Sequence, residues 1–81
     1  MSVAISHREA SILKAVISAY TYTGKPVGSK YVAMRFNRSL SPASIRNVMM
    51  ALEAKGLLFK PHTSAGRVPT EEGYRVYVLS L

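Results

Sequence analysis

Four carboxylates, two imidazoles, ten serines and no thiol are the groups from which this chain could build a catalytic centre. The acids are all glutamates: Glu9, Glu53, Glu71 and Glu72. Glu71 and Glu72 are adjacent, so on a helix they point about 100° apart and cannot flank a substrate. His7 and His62 are too few for a three-ligand zinc site. No spacing assembles a Ser-His-acid set, and without cysteine there is no disulfide, thiolate metal site or thiol nucleophile. No enzyme, cofactor or metal site is therefore expected. The cations tell a different story. Eleven Lys and Arg against four acids leave a formal net charge of +7 and a pI near 10.2. Such an excess points to a polyanionic partner.

The side chains that could recognise that partner fall into two sets. Ala43, Arg46, Asn47 and Met50 share one side of an amphipathic segment whose other side carries Ile45, Val48, Met49 and Leu52. Arg46 can pair bidentately with guanine, Asn47 with adenine, and Ala43 or Met50 can pack on a thymine methyl. These four are the candidate base contacts, on a helix whose N-terminal half would lie in the major groove. The second set suits phosphates or the minor groove. Ser29 and Lys30 sit at a helix start whose free amides attract anions. Ser41 and Ser44 open the amphipathic segment, Ser41 as a cap first and a phosphate contact second. His62, Thr63, Ser64 and Arg67 surround a small Ala65-Gly66 turn, from which an arginine could enter a narrow minor groove.

The elements that must position these groups are legible from caps and periodicity. Eighty-one residues make one small domain, and a hydrophobic fraction of 48% is enough for it to fold. The first apolar run is too short for a signal peptide, and no uncharged stretch approaches the roughly 20 residues of a membrane span. Ser6-His7-Arg8-Glu9 has the form of a capping box. It opens a helix over about 7–23, with Leu13, Val16, Ile17 and Tyr20 on its apolar face and a stop at Gly24 and Pro26. Ser29 is the expected N-cap of a short helix over about 30–36, ended by Asn37. Leu40, Ser41, Pro42 and Ile45 combine a hydrophobic staple, a serine cap and an N1 proline. They start a third helix over about 42–55, closed by Gly56. Leu57-Leu58-Phe59-Lys60 and Arg67-Val68 read as the strands of a hairpin over 57–69. Thr70 then caps a helix over 71–81 whose apolar stripe is Tyr74, Tyr77, Val78 and Leu81. That helix has no stop signal, so the chain is expected to be part of a longer protein. Tyr20, Tyr31, Tyr74 and Tyr77 read as core, whereas Tyr22 has no assignment. The fold class expected is mainly α with a small β-hairpin. It is a winged helix-turn-helix, in which a three-helix core carries a two-stranded wing and a trailing C-terminal helix.

Pro26-Val27-Gly28-Ser29-Lys30, Ser44-Ile45-Arg46-Asn47, Leu52-Glu53 with Gly56-Leu57-Leu58, and above all Pro61-His62-Thr63-Ser64-Ala65-Gly66-Arg67-Val68-Pro69-Thr70 with Gly73-Tyr74-Arg75 carry a resemblance. From about Ser6 to Val78 the chain resembles the N-terminal domain of the heat-inducible transcription repressor HrcA family. The resemblance implies a cytoplasmic repressor of chaperone genes that binds double-stranded DNA at an inverted-repeat operator, as a homodimer in the full-length protein. It also implies a C-terminal effector region and modulation by a GroEL-type chaperonin. Two positions depart from the family pattern. Val48 stands where an acidic residue is usual, and Phe59-Lys60 replaces a more polar pair. The alternatives are a winged helix used for protein interaction, which would leave an apolar patch on the third helix, and an RNA-binding basic domain, which would expose aromatics.

Overall fold

The computed structural model describes residues 4–62 and 64–80. Its elements run α1 (His7–Thr23), α2 (Ser29–Arg35), α3 (Pro42–Ala54), β1 (Leu58–Phe59), β2 (Val68–Pro69) and α4 (Glu71–Leu79). The two strands pair antiparallel, Leu58 opposite Pro69 and Phe59 opposite Val68. This is the winged helix arrangement expected from the sequence. None of its helices is long and apolar enough to cross a membrane.

The helix boundaries follow from identifiable caps. At α1, the Ser6 hydroxyl accepts from the Glu9 amide at 3.1 Å and the Glu9 carboxylate accepts from the Ser6 amide at 2.8 Å. At α3, the Ser41 hydroxyl accepts from the Ser44 amide at 3.1 Å, with Pro42 at the first helical position. The other end of α3 closes with a Schellman pair, Gly56 N–H to the Glu53 carbonyl and Leu57 N–H to the Leu52 carbonyl, both 2.9 Å. That closure needs a left-handed residue, and Gly56 supplies it with φ of 77°. The turn between α2 and α3 closes in the same way without glycine. Asn37 and Arg38 both take left-handed backbone, with φ of 52° and 62°. Asparagine there was expected; the arginine was not.

Three expectations about helix ends and faces are corrected. Ser29 is the first residue of α2 and not its cap: Gly28 is the N-cap, and it offers no side chain to the helix. The buried face of α1 is wider than one stripe. Ile12, Leu13, Ala15, Val16, Ile17 and Ala19 are all buried, because α1 is the central helix and packs on α2, α3, α4 and β2. On α4 the inward face runs through Gly73 and Val76, with Tyr77 half-buried beside it. Tyr74, Val78 and Leu79 stay exposed, and Leu81 lies outside the described residues. The cause is Gly73, whose missing side chain lets α4 settle onto the Leu57 carbonyl, where a Cβ would collide. A hydrophobicity pattern cannot register that contact.

The core joins Ile12, Leu13 and Val16 of α1 to Val32 of α2, Ile45, Met49 and Leu52 of α3, and Leu57 at the wing base, each essentially inaccessible. The tyrosines are not core as a group. Tyr31 and Tyr74 reach the surface and, with Tyr22 and Tyr77, line an open groove of about 780 Å³ between α1, α2 and α4.

Candidate nucleic-acid interface

Burial of Ile45, Met49 and Leu52 against α1 and α2 decides which side of α3 faces outward. Ala43, Ser44, Arg46, Asn47 and Met50 lie on that outward side and are exposed, while Val48 is half-buried at its margin. Arg46 and Asn47 form no side-chain hydrogen bond or ion pair with any described residue. Their donors and acceptors are unspent. The Ser41 and Ser44 hydroxyls differ, being 3.0 Å apart and paired with each other, and Ser41 also holds the cap.

Beside α3, the first turn of α2 carries half-buried Ser29 and exposed Lys30. With no side chain capping this turn, its leading amides remain available to an anion. On the wing, His62 is exposed, and Ser64 is half-buried with its hydroxyl accepting from the Gly66 amide at 3.0 Å. Thr63 lies outside the described residues.

Arg67 is where the structure departs most from the sequence reading. It does not project from the wing. The side chain is turned inward and only 7% of the residue is exposed. Its Nε donates to Glu53 Oε1 at 3.0 Å, and its Nη1 to the Ala65 carbonyl at 2.7 Å. The arginine is held inward because a carboxylate at the end of α3 claims it. Glu53, which the sequence offers only within the Leu52-Glu53 motif and without a role, is therefore a structural part of this surface. Its sequence signal was weak: a single acid near the end of a helix, three residues before the closing glycine.

The other acids are also committed. Glu9 meets Lys55 at 2.8 Å, and Arg75 meets Glu71 at 3.5 Å and Glu72 at 2.9 Å. The Lys55 ammonium and the Ser6 amide hold the Glu9 carboxyl below its ordinary value. All four glutamates are thus paired with a cation, Glu9 with Lys55, Glu53 with Arg67, and Glu71 and Glu72 sharing Arg75. Among the described residues, Arg8, Lys14, Lys25, Lys30, Arg35, Arg38, Arg46 and Lys60 have no carboxylate partner. Three of these, Lys30, Arg38 and Arg46, belong to the helix-turn-helix unit formed by α2, its turn and α3; Arg35 ends α2 on the side of α1.

Comparison with known proteins agrees with this geometry. Residues 4–80 match the family described as "Winged helix-turn-helix transcription repressor, HrcA DNA-binding". The heat-inducible transcription repressor HrcA of Thermosynechococcus vestitus is 53% identical over 78 residues, which are 96% of this chain and 22% of that protein. The Geobacter sulfurreducens protein of the same name is 56% identical over 77 residues, 95% of this chain and 22% of its own length. A crystal structure titled only as that of a hypothetical protein superimposes with a TM-score of 0.87 at 39% identity, covering 95% of this chain and 24% of the other. The chain spans about a fifth of the length of the curated relatives it matches. With nearly every residue inside the match, this chain belongs to the HrcA family of winged helix-turn-helix domains.

Proposed function

We propose that the chain is the operator-reading domain of a heat-inducible transcription repressor, with α3 in the major groove of double-stranded DNA. It acts by binding and carries out no chemistry. The observation that carries this reading is the outward face of α3, where Arg46 and Asn47 stand exposed with no partner in the chain. Ala43 and Met50 flank them as candidate methyl contacts. Ser29, Lys30, Ser41, Ser44, His62 and Ser64 are the candidate backbone contacts, with Thr63 proposed from the sequence alone. Lys30, Arg38 and Arg46, which have no carboxylate partner among the described residues, support the reading. As part of this proposal, the domain works as one half of a homodimer on an inverted repeat in the cytoplasm of the cell, within a longer repressor modulated by a GroEL-type chaperonin; the resemblance to the HrcA family is what supports these points.

Salt and substitution test the reading together. Affinity for duplex DNA should fall steeply as salt rises, with the neutralisation of about 3–5 phosphates. Arg46→Ala should cost about 1–3 kcal/mol on the cognate operator and little on random duplex. Lys30→Ala should weaken both alike and lower the salt slope by about one. A flat salt response rejects DNA binding. The tyrosine groove favours a second reading, since the exposed aromatics Tyr22, Tyr31 and Tyr74 beside Arg35 suit single-stranded RNA. RNA of the operator sequence, used as competitor, separates the two: duplex DNA should win.

A further inference from the structure

Arg67 sits where three elements meet. Its backbone N–H and carbonyl are both bonded to Val27, at 2.9 and 2.8 Å, so the return strand is pinned to the linker between α1 and α2. Gly66 just before it lies so close that an added Cβ would stand 2.9 Å from the Pro26 carbonyl carbon. From this anchored backbone the guanidinium reaches Glu53 on the last turn of α3 and the Ala65 carbonyl in the wing. The planar fork sends these donors in separate, fixed directions, which a lysine ammonium on its flexible stem cannot reproduce.

We infer that Arg67 and Glu53 are a positioning pair: they set the wing at one orientation to α3 and do not themselves touch DNA. The inference rests on the proposed DNA-reading function and reassigns the residue that motif reasoning placed in the minor groove. Charge economy supports it. Arg67 is the sole cation between Lys60 and Arg75, and it is withheld from solvent by a carboxylate, although a basic wing tip would bind phosphate better. Contact with the backbone then falls to His62, Ser64 and Lys60. The short wing, with two residues per strand, has little ladder of its own to hold its angle, so the fork supplies a constraint the hairpin lacks.

Two contrasts test this. Glu53→Gln and Glu53→Ala remove the same charge, but only the glutamine keeps an acceptor for Arg67 Nε. Arg67→Lys keeps the charge and loses the fork. The ratio of affinity for the chain's own footprinted operator duplex to that for a random duplex should fall roughly tenfold in Glu53→Ala and Arg67→Lys, the scale of one lost base-pair match. It should be largely retained in Glu53→Gln. In the free protein, amide relaxation of Lys60, Ser64 and Gly66 should show new motion in the two damaging variants while α1 and α3 amides stay unchanged. If Arg67→Lys binds as wild type and both Glu53 variants bind all duplexes more tightly, Arg67 is a phosphate contact and the pair is only a local neutraliser. Unaltered wing relaxation in Arg67→Lys also overturns the inference. Failure of the wild type to bind duplex rejects the DNA-reading function itself, a result distinct from these.

Discussion

The outward face of α3 and the base of the wing both present an arginine that motif reasoning assigns to DNA, and the structure treats them oppositely. Arg46 is exposed with no described partner, whereas Arg67 is buried and bonded on two sides. The difference lies in what stands within reach. The outward face of α3 has no acid among its exposed residues, and the nearest carboxylate on that helix, Glu53, is already bonded to the wing. A basic residue serves a polyanion only where its own chain has not already neutralised it. Counting cations therefore overstates the binding surface, and the pattern of ion pairs corrects the count.

The contrast can be sharpened by substitutions, the strongest first. Adjacent methionines on α3 sit on opposite sides of its boundary, Met49 at 1% exposure and Met50 at 54%. Met49→Ala should cost about 2–5 kcal/mol of folding stability by opening a core cavity. Met50→Ala should change stability by no more than about 0.5 kcal/mol. Denaturant melts of both variants measure the difference directly, and equal losses would erase the distinction between the two faces. At the wing base, Gly66→Ala forces a methyl against the Pro26 backbone and should destabilise by about 1–3 kcal/mol. Thermal unfolding reads that cost, and a neutral result would mean the linker yields. Ser41→Ala removes the α3 cap and should cost about 1 kcal/mol, visible in the same melt before any DNA is added. The smallest effect concerns acid. Because the Glu9 carboxyl is held below its ordinary value, the stability it adds is present above the unfolded-state value near 4.5. It is lost as pH falls below that point through the folded value. A pH titration of the melting temperature should show this loss for the wild type and a shallower one for Lys55→Ala.

Much of the architecture was legible because it rests on local rules. The Ser6–Glu9 capping box, the Ser41-Pro42 start and the Gly56 stop are each short patterns with one physical solution. The free face of α3 follows from helical periodicity alone. What escaped was set by partners distant in sequence. Arg67 turns inward for a glutamate fourteen positions away, and the buried side of α4 is chosen by a glycine meeting a carbonyl. Tyr31 and Tyr74 fit apolar stripes, yet they end partly exposed at a groove because, among the described residues, no further layer covers α2 and α4 there. Hydrophobic periodicity ranks faces within an element but does not say how many neighbours that element will have.

The seat of Gly73 on Leu57 has a mechanical meaning. The Thr70 amide bonds to the Leu57 carbonyl at 3.2 Å and the Thr70 hydroxyl to the Gly56 carbonyl at 2.6 Å, so the first turn of α4 is fastened to the junction where α3 ends and the wing begins. Turning α4 about its axis by one residue, about 100°, would bring a side chain to a place that admits only hydrogen. The helix is thus keyed like a shaft in a slot, with a single angular setting. A twist applied along α4 cannot be absorbed by rotation in its seat; it passes to Leu57, and from there into the first strand of the wing.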